Sequence, residues 1–395
     1  MEPKIEDILE KIASSPIPKV KKCAVAYSGG LDSTLGIELL RRVYQGEEII
    51  AINVDVGQGA EEMQIGIARA QQLKIEPIII DAKEEFTEEW LKKAILANSD
   101  YNGYPVSTSM TRQLIAKLVA KKAVELGCDS ILEGSTGRGN DQYRMHNVIK
   151  MFAPDVEVLA PVRDFDLTRQ EELMLCSHWG VPVEEFIVGG DDKTMWCRSI
   201  ASGAIDLNQP IPDEIWMWLT PPEQAPDQPE IVTLTFEEGV PIALNGQPMK
   251  LGELIPRLNT IAGRNGIGLI DIFEDGIMDL KSREIYEAPA AQVILKVKKD
   301  LEGACLTKAE RQFKKMVDAQ WAYLVYHGEW FHPLKKDLDA FIAKVQAGAD
   351  VGIAMSTGTD VAMEAAGITL MRGDPRLVAD AIDVSRRSYA KIRQG

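Results

Sequence analysis

The sequence lacks the features of a membrane or secreted protein. Its 395 residues are 45% hydrophobic, but no apolar run approaches the roughly 20 residues that span a bilayer. The N-terminal segment MEPKIEDILEKIASSPIPKV is charged and interrupted by proline, so it does not resemble a secretory signal. We therefore expect a cytoplasmic protein that has no membrane partner.

Cysteine and histidine are also scarce. The five cysteines are widely spaced, and no two of them have the C-x-x-C spacing of a zinc or redox site. His327 and His332 flank an aromatic stretch, but two histidines without further ligands do not make a transition-metal centre. The cysteines are expected to be reduced thiols that pack as small apolar side chains.

An excess of positive charge is absent as well. Lysine and arginine number 44 against 60 aspartates and glutamates, which gives a formal net charge of −16. A general nucleic-acid binder needs a basic face, so we expect no nucleic-acid partner. A small anionic substrate is not excluded, because clustered backbone N–H groups and a few arginines can hold a phosphate.

The first half of the chain alternates between apolar runs and amphipathic segments. The predicted strands are residues 23–27, 49–54, 77–80, 130–132 and 156–162, and the predicted helices are residues 34–44, 61–73 and 111–127. This alternation predicts an α/β fold with a doubly wound parallel sheet, whose ligands bind beyond the carboxyl ends of the strands.

The second half has a different pattern. A proline-rich stretch near residues 208–230 indicates a connection between domains. Beyond it we predict a hairpin of residues 231–237 and 240–244, helices at 251–263 and 307–326, and a strand, turn and strand over 266–291. We expect an α/β domain at 1–190, an α+β domain at 191–345, and an atypical C-terminal segment at 346–395.

The segment AYSGGLDS has the features of a phosphate-binding loop. It lies between a predicted strand and helix, where two glycines allow a tight turn with clustered N–H groups. It is not a Walker loop, but it resembles the pyrophosphate loop of N-type ATP pyrophosphatases, which release AMP. The predicted ATP-binding residues of this loop are Ala26, Tyr27, Ser28, Gly29, Gly30, Leu31, Asp32 and Ser33.

Asp32 is an unusual residue beside a polyanion. Its carboxylate suits this position if it holds Mg²⁺, directly or through water, or if it only caps the following helix. We favour the magnesium role.

A second glycine-rich motif, GSTGRGNDQYR at 134–144, follows another predicted strand. Its glycines let the backbone approach a ligand, and Arg144 can bind a carboxylate in a bidentate manner. Together the two motifs resemble the argininosuccinate synthase family. The resemblance continues in YPVSTSMTR, GRNGIGLIDIFED, KSREIYEAP and WAYLVYHGEWFHPLKKDLDAFI, and covers about residues 20–345.

The resemblance implies an ATP-dependent ligase of arginine biosynthesis that joins citrulline to aspartate. It implies that Val54 and Gly134 complete the ATP site. It implies aspartate contacts from Thr136, Asn140 and Asp141, and citrulline contacts from Tyr104, Ser109, Asn140, Arg144, Ser199, Glu274 and Tyr286. The expected catalytic residues are Asp32, Asp141 and Arg144. ATP, citrulline and aspartate are the expected substrates, with Mg²⁺ as cofactor and a homotetramer as the assembly.

The chain departs from the family pattern at 190–194. A family motif of the form S-x-D-E-N is replaced there by GDDKT, with Gly190 at the serine and Thr194 at the asparagine. One citrulline contact is then missing, replaced by water, or supplied by Asp191 or Asp192. The expected loss is about one hydrogen bond, roughly 0.5–1.5 kcal/mol.

The C-terminal segment resembles a different family. Residues 349–394 are similar to the end of the phosphorylation domain of P-type metal-transporting ATPases, but the D-K-T-G-T and G-D-G-x-N-D motifs of a pump are missing. We interpret the segment as a gene-fusion relic that replaces the family's C-terminal arm. It should supply no catalytic group and should weaken or reduce the assembly.

Two other functions are compatible with parts of the sequence. A tRNA sulfurtransferase shares the ATP loop, but it would need a catalytic cysteine pair and a basic RNA-binding face. An inactive paralogue with a binding role would explain the altered segment at 190–194 and the replaced C-terminus. An assay for citrulline-dependent pyrophosphate release separates these possibilities.

Overall fold

The computed structural model describes residues 4–137, 139–182, 192–200, 209–212, 215–346, 349–355 and 368–371. They form two compact units. The first unit comprises the described residues within 1–83, 108–188 and 275–280, and the second comprises those within 84–107, 189–274 and 281–395.

The helices and strands are as follows in chain order. The helices are α1 Ile5–Ala13, α2 Leu31–Arg42, α3 Ala60–Gln72, α4 Lys83–Glu85, α5 Lys92–Leu96, α6 Ser107–Glu125, α7 Asp141–Phe152, α8 Pro161–Asp164, α9 Arg169–Trp179, α10 Leu251–Arg264, α11 Pro289–Cys305, α12 Lys308–Tyr326 and α13 Pro333–Lys344. The strands are β1 Lys22–Ala26, β2 Glu48–Asp55, β3 Ile78–Asp81, β4 Ser130–Leu132, β5 Glu157–Leu159, β6 Asp192–Lys193, β7 Arg198–Ser199, β8 Glu230–Glu237, β9 Val240–Leu244, β10 Gln247–Pro248, β11 Leu269–Asp275, β12 Lys281–Glu287, β13 Ala349–Met355 and β14 Ile368–Met371. Within the described ranges, none of the helices has the length and apolar character needed to cross a membrane.

The first unit is built on a five-stranded parallel sheet, as predicted. Its strand order is β3-β2-β1-β4-β5. The chain runs outward from β1 to β3 and then returns to place β4 on the other side of β1, with Val25 in register with Leu132. The strand order therefore reverses between β1 and β4. Ligands of such sheets bind at the carboxyl ends of the strands at this reversal.

The core of the first unit lies between this sheet and the helices that cover it. It includes Val25 and Leu132 of the central strands and Leu35 and Leu39 of α2, all of them fully buried. Cys23 lies in the same core as a free thiol, and burial raises its pKa to about 12. A thiol in this environment stays protonated and packs as a small apolar group, as predicted.

Some predicted boundaries were wrong. Helix α2 begins at Leu31 rather than at residue 34, because the amide of Thr34 already donates to the carbonyl of Gly30 at 3.0 Å. Helix α6 begins at Ser107 rather than at residue 111, ahead of the apolar residues on which the prediction rested. The predicted strand 156–162 ends at Leu159, since Pro161 cannot donate to a ladder and instead opens α8.

The second unit contains two antiparallel sheets and is α+β, as predicted. One sheet has the order β11-β12-β7-β6, and the other has the order β10-β9-β8-β13-β14. The predicted hairpin is present as β8 and β9, with a bulge at Thr235 and Phe236. The prediction missed α11, because Pro289 was taken as part of a strand although proline is favoured in the first turn of a helix.

The C-terminal segment contributes two strands to this second sheet. Strand β13 runs antiparallel to β8, from the pair Ala349 and Phe236 to the pair Met355 and Glu230. Strand β14 pairs with the other edge of β13. The segment therefore takes part in the fold at 349–355 and 368–371, and the rest of it lies outside the described residues.

Deleting β13 should destabilise the second unit. A chain that ends at Val345 loses the strand that pairs with β8 from Glu230 to Phe236, and an uncovered strand edge promotes association. We expect the melting temperature to fall by roughly 5 °C or more and light scattering to show larger species. A chain that ends at Met371 keeps β13 and β14 and is the matched control. Equal melting and scattering for the Val345 chain and the full chain would show that β13 does not stabilise the sheet.

Candidate active site

The AYSGGLDS loop packs directly on the backbone of α3. Gly29 has a positive φ of 83°, and a Cβ atom built on it would lie 2.5 Å from the Cα of Gly66. No other residue fits this position, because both the backbone conformation and the space demand glycine. The loop is thus fixed at the carboxyl end of β1 by sequence as well as by packing.

Two serine hydroxyls close the loop on itself. The Ser28 Oγ accepts the Gly30 N–H at 3.2 Å and lies 3.2 Å from the Ser33 Oγ. The Ser33 Oγ in turn accepts the Ser28 N–H at 3.3 Å. These bonds hold the loop at the N-terminus of α2, where the positive end of the helix favours an anion.

Helix α3 supports the loop from below. Arg69 donates from Nη1 to the Gly29 carbonyl at 2.8 Å, and the Tyr27 hydroxyl donates to the Gly66 carbonyl at 3.0 Å. Val54, at the end of the adjacent strand β2, is buried.

Asp32 lies in the first turn of α2 but does not cap the helix. The N-cap position is occupied by Gly30, and no side-chain hydrogen bond is made from it. The Asp32 Oδ1 instead accepts a hydrogen bond from the Arg169 guanidinium at 2.9 Å. The geometry therefore does not support the predicted capping role of Asp32.

The second glycine-rich motif begins beside the first. A Cβ atom on Gly134 would lie 3.4 Å from the Cβ of Asp32, so the loops after β1 and β4 are in contact. Glu133 precedes this glycine and accepts the Ser135 N–H at 2.8 Å. Burial raises the pKa of Glu133 to about 7, although the Ser135 hydrogen bonds and the Arg163 charge lower it. This buried carboxyl group fixes the start of the second loop.

Asp141 is held by two arginines at the start of α7. Its carboxylate accepts from Arg112 at 2.9 Å and from Arg144 at 3.5 Å. Burial raises the pKa of Asp141, but the two guanidinium groups outweigh it and leave the pKa below its usual value. Asp141 is therefore ionised at neutral pH.

Three other predicted site residues lie in the first unit, namely Asn140, Thr136 and Ser109. The Asn140 Oδ1 accepts the Ile277 N–H at 2.8 Å, and Thr136 is exposed. Ser109 is fully buried, and its hydroxyl has no hydrogen-bond partner among the described residues. A buried hydroxyl without a hydrogen-bond partner is uncommon in folded proteins. Arg138 of the motif lies outside the described residues.

The predicted residues of the second unit form an aromatic and acidic cluster. Tyr104 stacks on Tyr286 with 4.5 Å between ring centroids. The Tyr286 hydroxyl donates to Glu274 at 2.8 Å, and the Tyr326 hydroxyl donates to the other oxygen of the same carboxylate. Ser199 is half-buried on β7, in register with Tyr286.

The segment that departs from the family pattern is only partly described. Gly190 and Asp191 lie outside the described residues. Thr194 is buried, and its Oγ1 lies 2.7 Å from the Ser107 Oγ and accepts the Trp196 N–H at 3.0 Å. Thr194 therefore stabilises a turn of the second unit. Asp192 is in register with Ser199.

Several supporting residues were not predicted from the sequence. Arg112 and Tyr326 lie within motifs that carried the family resemblance, so the sequence contained a signal that could have identified them. Arg69 and Arg169 belong to no motif, and only the fold shows that they contact the phosphate loop.

The comparisons with known proteins agree for both halves of the chain. A model of the arginosuccinate synthase N-terminal HUP domain matches residues 22–182, and a model of the arginosuccinate synthase C-terminal domain matches residues 190–360. The second match runs past residue 345, where the sequence resemblance was expected to end, and it includes β13.

Individual relatives are similar over most of their length. The argininosuccinate synthase of Methanosarcina acetivorans is 44% identical, with 83% of this chain and 83% of the relative covered. Those of Methanococcus maripaludis and Pyrococcus furiosus are each 43% identical over 82% of this chain, covering 83% and 79% of the relative.

Among solved structures, the U34-tRNA thiolase NcsA from Methanococcus maripaludis with its 4Fe-4S cluster matches 46% of this chain and 66% of its own. Its TM-score is 0.32 at 16% identity, which is too low to bear on fold or function. The two family models and the three relatives all identify argininosuccinate synthase, and the chain belongs to the argininosuccinate synthase family.

Proposed function

We propose that this chain is an ATP-dependent carbon–nitrogen ligase that makes argininosuccinate from citrulline and aspartate in arginine biosynthesis. The ureido oxygen of citrulline attacks the α-phosphorus of ATP and pyrophosphate leaves. The amine of aspartate then attacks the citrullyl-adenylate and AMP leaves. The observation that carries the proposal is the contact of the SGGLDS loop with Gly134 at the reversal of the parallel sheet.

The loop after β1 is proposed to hold the phosphates of ATP. Its N–H groups, the N-terminus of α2, and the neighbouring Val54 and Gly134 line this end of the sheet. Because Gly29 and Gly134 have no side chains, a nucleotide can approach the backbone closely at both loops. The protein contributes mainly position and charge stabilisation, which suits a reaction without a covalent enzyme intermediate.

Aspartate is proposed to bind at Thr136, Asn140 and Asp141. The carboxylate of Asp141 stays ionised because of Arg112 and Arg144, so it can receive the ammonium group of an amino acid. Citrulline is proposed to contact Asn140, Arg144 and the residues Tyr104, Ser109, Ser199, Glu274 and Tyr286. The unpartnered Ser109 hydroxyl and the Glu274 carboxylate are suited to the polar groups of this substrate.

Mg²⁺ is proposed to enter with ATP. The described residues contain no group of three or more His, Cys, Asp or Glu side chains that could hold a metal ion. A magnesium ion that is coordinated by the phosphates of ATP needs no such group, because one or two protein carboxylates and several water molecules complete its coordination. Asp32 fits as that carboxylate, since 29% of its side-chain surface is exposed beside the loop. The ion would neutralise the phosphate charge at this point.

We also propose a cytoplasmic homo-oligomer, a tetramer by family resemblance. We further propose that the chain consists of three parts, with boundaries at residues 190 and 345. We propose that the C-terminal part derives from a P-type ATPase. The P-type resemblance is proposed for residues 349–394, of which the family model also matches residues up to 360.

Label transfer tests the function directly. With citrulline that carries oxygen-18 in its ureido group, AMP should acquire the label during turnover with aspartate, since that oxygen forms the bond to phosphorus. Pyrophosphate release should need citrulline, and omission of citrulline is the control. Unlabelled AMP, or pyrophosphate release that ignores citrulline, would rule out the proposed mechanism.

Asp32→Asn tests the phosphate loop. The substitution keeps the size of the side chain but removes its charge, so we expect kcat to fall by about tenfold or more while the melting temperature changes little. The loss should be accompanied by a weaker dependence on Mg²⁺. An unchanged kcat with a lowered melting temperature would show a structural role alone.

Ser109→Ala tests the citrulline site. Because the buried hydroxyl has no partner, its removal should not lower the melting temperature, while the KM for citrulline should rise about 2- to 12-fold, the equivalent of one hydrogen bond. Ser107→Ala is the matched control, since that hydroxyl is bonded to Thr194 and its loss should lower stability. A normal citrulline KM in Ser109→Ala would remove this residue from the site.

A further inference from the structure

Tyr326, the last residue of α12, belongs to the aromatic and acidic cluster of the second unit. Its side chain is fully buried, and its hydroxyl donates to the Glu274 carboxylate. The family resemblance implies citrulline contacts from Glu274 and Tyr286 but assigns no role to Tyr326. The contacts of its ring and of its hydroxyl define what this residue does.

A tight turn holds the ring of Tyr326. The pair Asn102 and Gly103 is typical of a type I′ turn, and their φ angles of 53° and 99° are the positive values that this turn requires. Tyr101 and Tyr104 close the turn, because the N–H of each donates to the carbonyl of the other at 2.8 and 2.9 Å. The Tyr101 ring stacks on the Tyr326 ring with 3.8 Å between centroids. The Tyr104 ring meets the Tyr326 ring edge to face, at 6.3 Å and 81°.

The Glu274 carboxylate is held by one tyrosine at each oxygen. The Tyr286 hydroxyl donates to Oε2 at 2.8 Å, and the Tyr326 hydroxyl donates to Oε1. Burial first, and then the charge of Glu274, raise the pKa of Tyr286 well above its usual value, so its hydroxyl stays protonated and donates. Two donors on different oxygens fix the plane of the carboxylate as well as its position.

The tyrosine contacts form a closed ring around Glu274. Tyr104 stacks on Tyr286, Tyr286 and Tyr326 both bind Glu274, and Tyr326 packs against Tyr104. Tyr326 is therefore linked to each of the other three residues or to a neighbour that contacts them. Those three are the residues of this cluster that are proposed to contact citrulline.

We propose that Tyr326 is a positioning residue of the citrulline site, whose hydroxyl fixes the Glu274 carboxylate in the orientation that receives citrulline. This rests on the proposed function, because Tyr326 acts through a substrate contact of Glu274. A carboxylate oxygen can accept more than one hydrogen bond, so a tyrosine and a substrate N–H group can share it. A carboxylate that is oriented in advance also loses less conformational freedom when the substrate binds.

The test replaces the hydroxyl and keeps the ring. L-Citrulline is titrated into the full chain in a calorimeter, with Mg²⁺ and α,β-methylene-ATP, which cannot be cleaved between the α- and β-phosphates. Tyr326→Phe should raise the Kd for citrulline about tenfold, because a buried carboxylate loses one of its donors. The Kd for the ATP analogue should not change. Tyr323→Phe, an exposed tyrosine one turn earlier on α12, is the matched control and should bind citrulline like the unaltered chain.

A second pair of variants tests whether the hydroxyl acts through Glu274. Glu274→Gln replaces the carboxylate by a neutral amide, and a hydrogen bond to a charged group is about twice as strong as one to a neutral group. Adding Tyr326→Phe to Glu274→Gln should therefore raise the Kd for citrulline only about threefold. Thermal melts show that each variant is folded.

The outcomes separate this proposal from the proposed function. An unchanged Kd for citrulline in Tyr326→Phe would overturn the positioning role, whether or not the melting temperature falls. An equal loss of affinity for the ATP analogue, or a tenfold loss that persists in full beside Glu274→Gln, would overturn it too. If the chain binds citrulline as described but releases no pyrophosphate with citrulline and ATP, the proposed function fails and the role of Tyr326 stands.

Discussion

The first unit depends on one backbone contact, the approach of Gly29 to Gly66. A Cβ atom added at position 29 would lie 2.5 Å from the Cα of Gly66 in α3, so the phosphate loop and this helix must move together. Arg69 and the Tyr27 hydroxyl bind carbonyl groups on either side of the same contact. These contacts hold the backbone of the turn in one arrangement, and N–H groups that are preorganised in this way reduce the reorganisation needed when an anion binds.

The order of the strands determines what lies next to that turn. Because β4 returns to the side of β1, its loop starts beside Asp32 at Gly134. The same return places the amino-acid motif, with Asn140 and Asp141, after the strand that neighbours the phosphate loop. The proposed adenylation requires a phosphate and an amino acid side by side, and the parallel sheet places two loops next to each other at its carboxyl edge.

Much of this arrangement could be predicted from the sequence, because it depends on local patterns. Alternating strands and helices predicted the parallel sheet, and paired glycines predicted both loops. Partners that are distant in the chain could not be predicted: Arg169 contacts Asp32 across 137 residues, and Tyr326 contacts Glu274 across 52. The pairing of β13 with β8 also joins residues that are distant in the chain, so it could not be predicted either. Through this pairing, a segment that we interpreted as a gene-fusion relic forms part of the sheet.

Arginines bind both acidic residues assigned to the proposed site in the first unit, although the whole chain carries a formal net charge of −16. Arg112 and Arg144 bind the carboxylate of Asp141, and Arg169 binds that of Asp32. These arginines are thus engaged by acidic side chains and serve to orient carboxylates near anionic substrates. In the proposed function, recognition of phosphate would therefore rest chiefly on backbone N–H groups and the N-terminal end of α2, rather than on these arginines. An acidic protein can in this way bind a polyanion with few cationic side chains of its own.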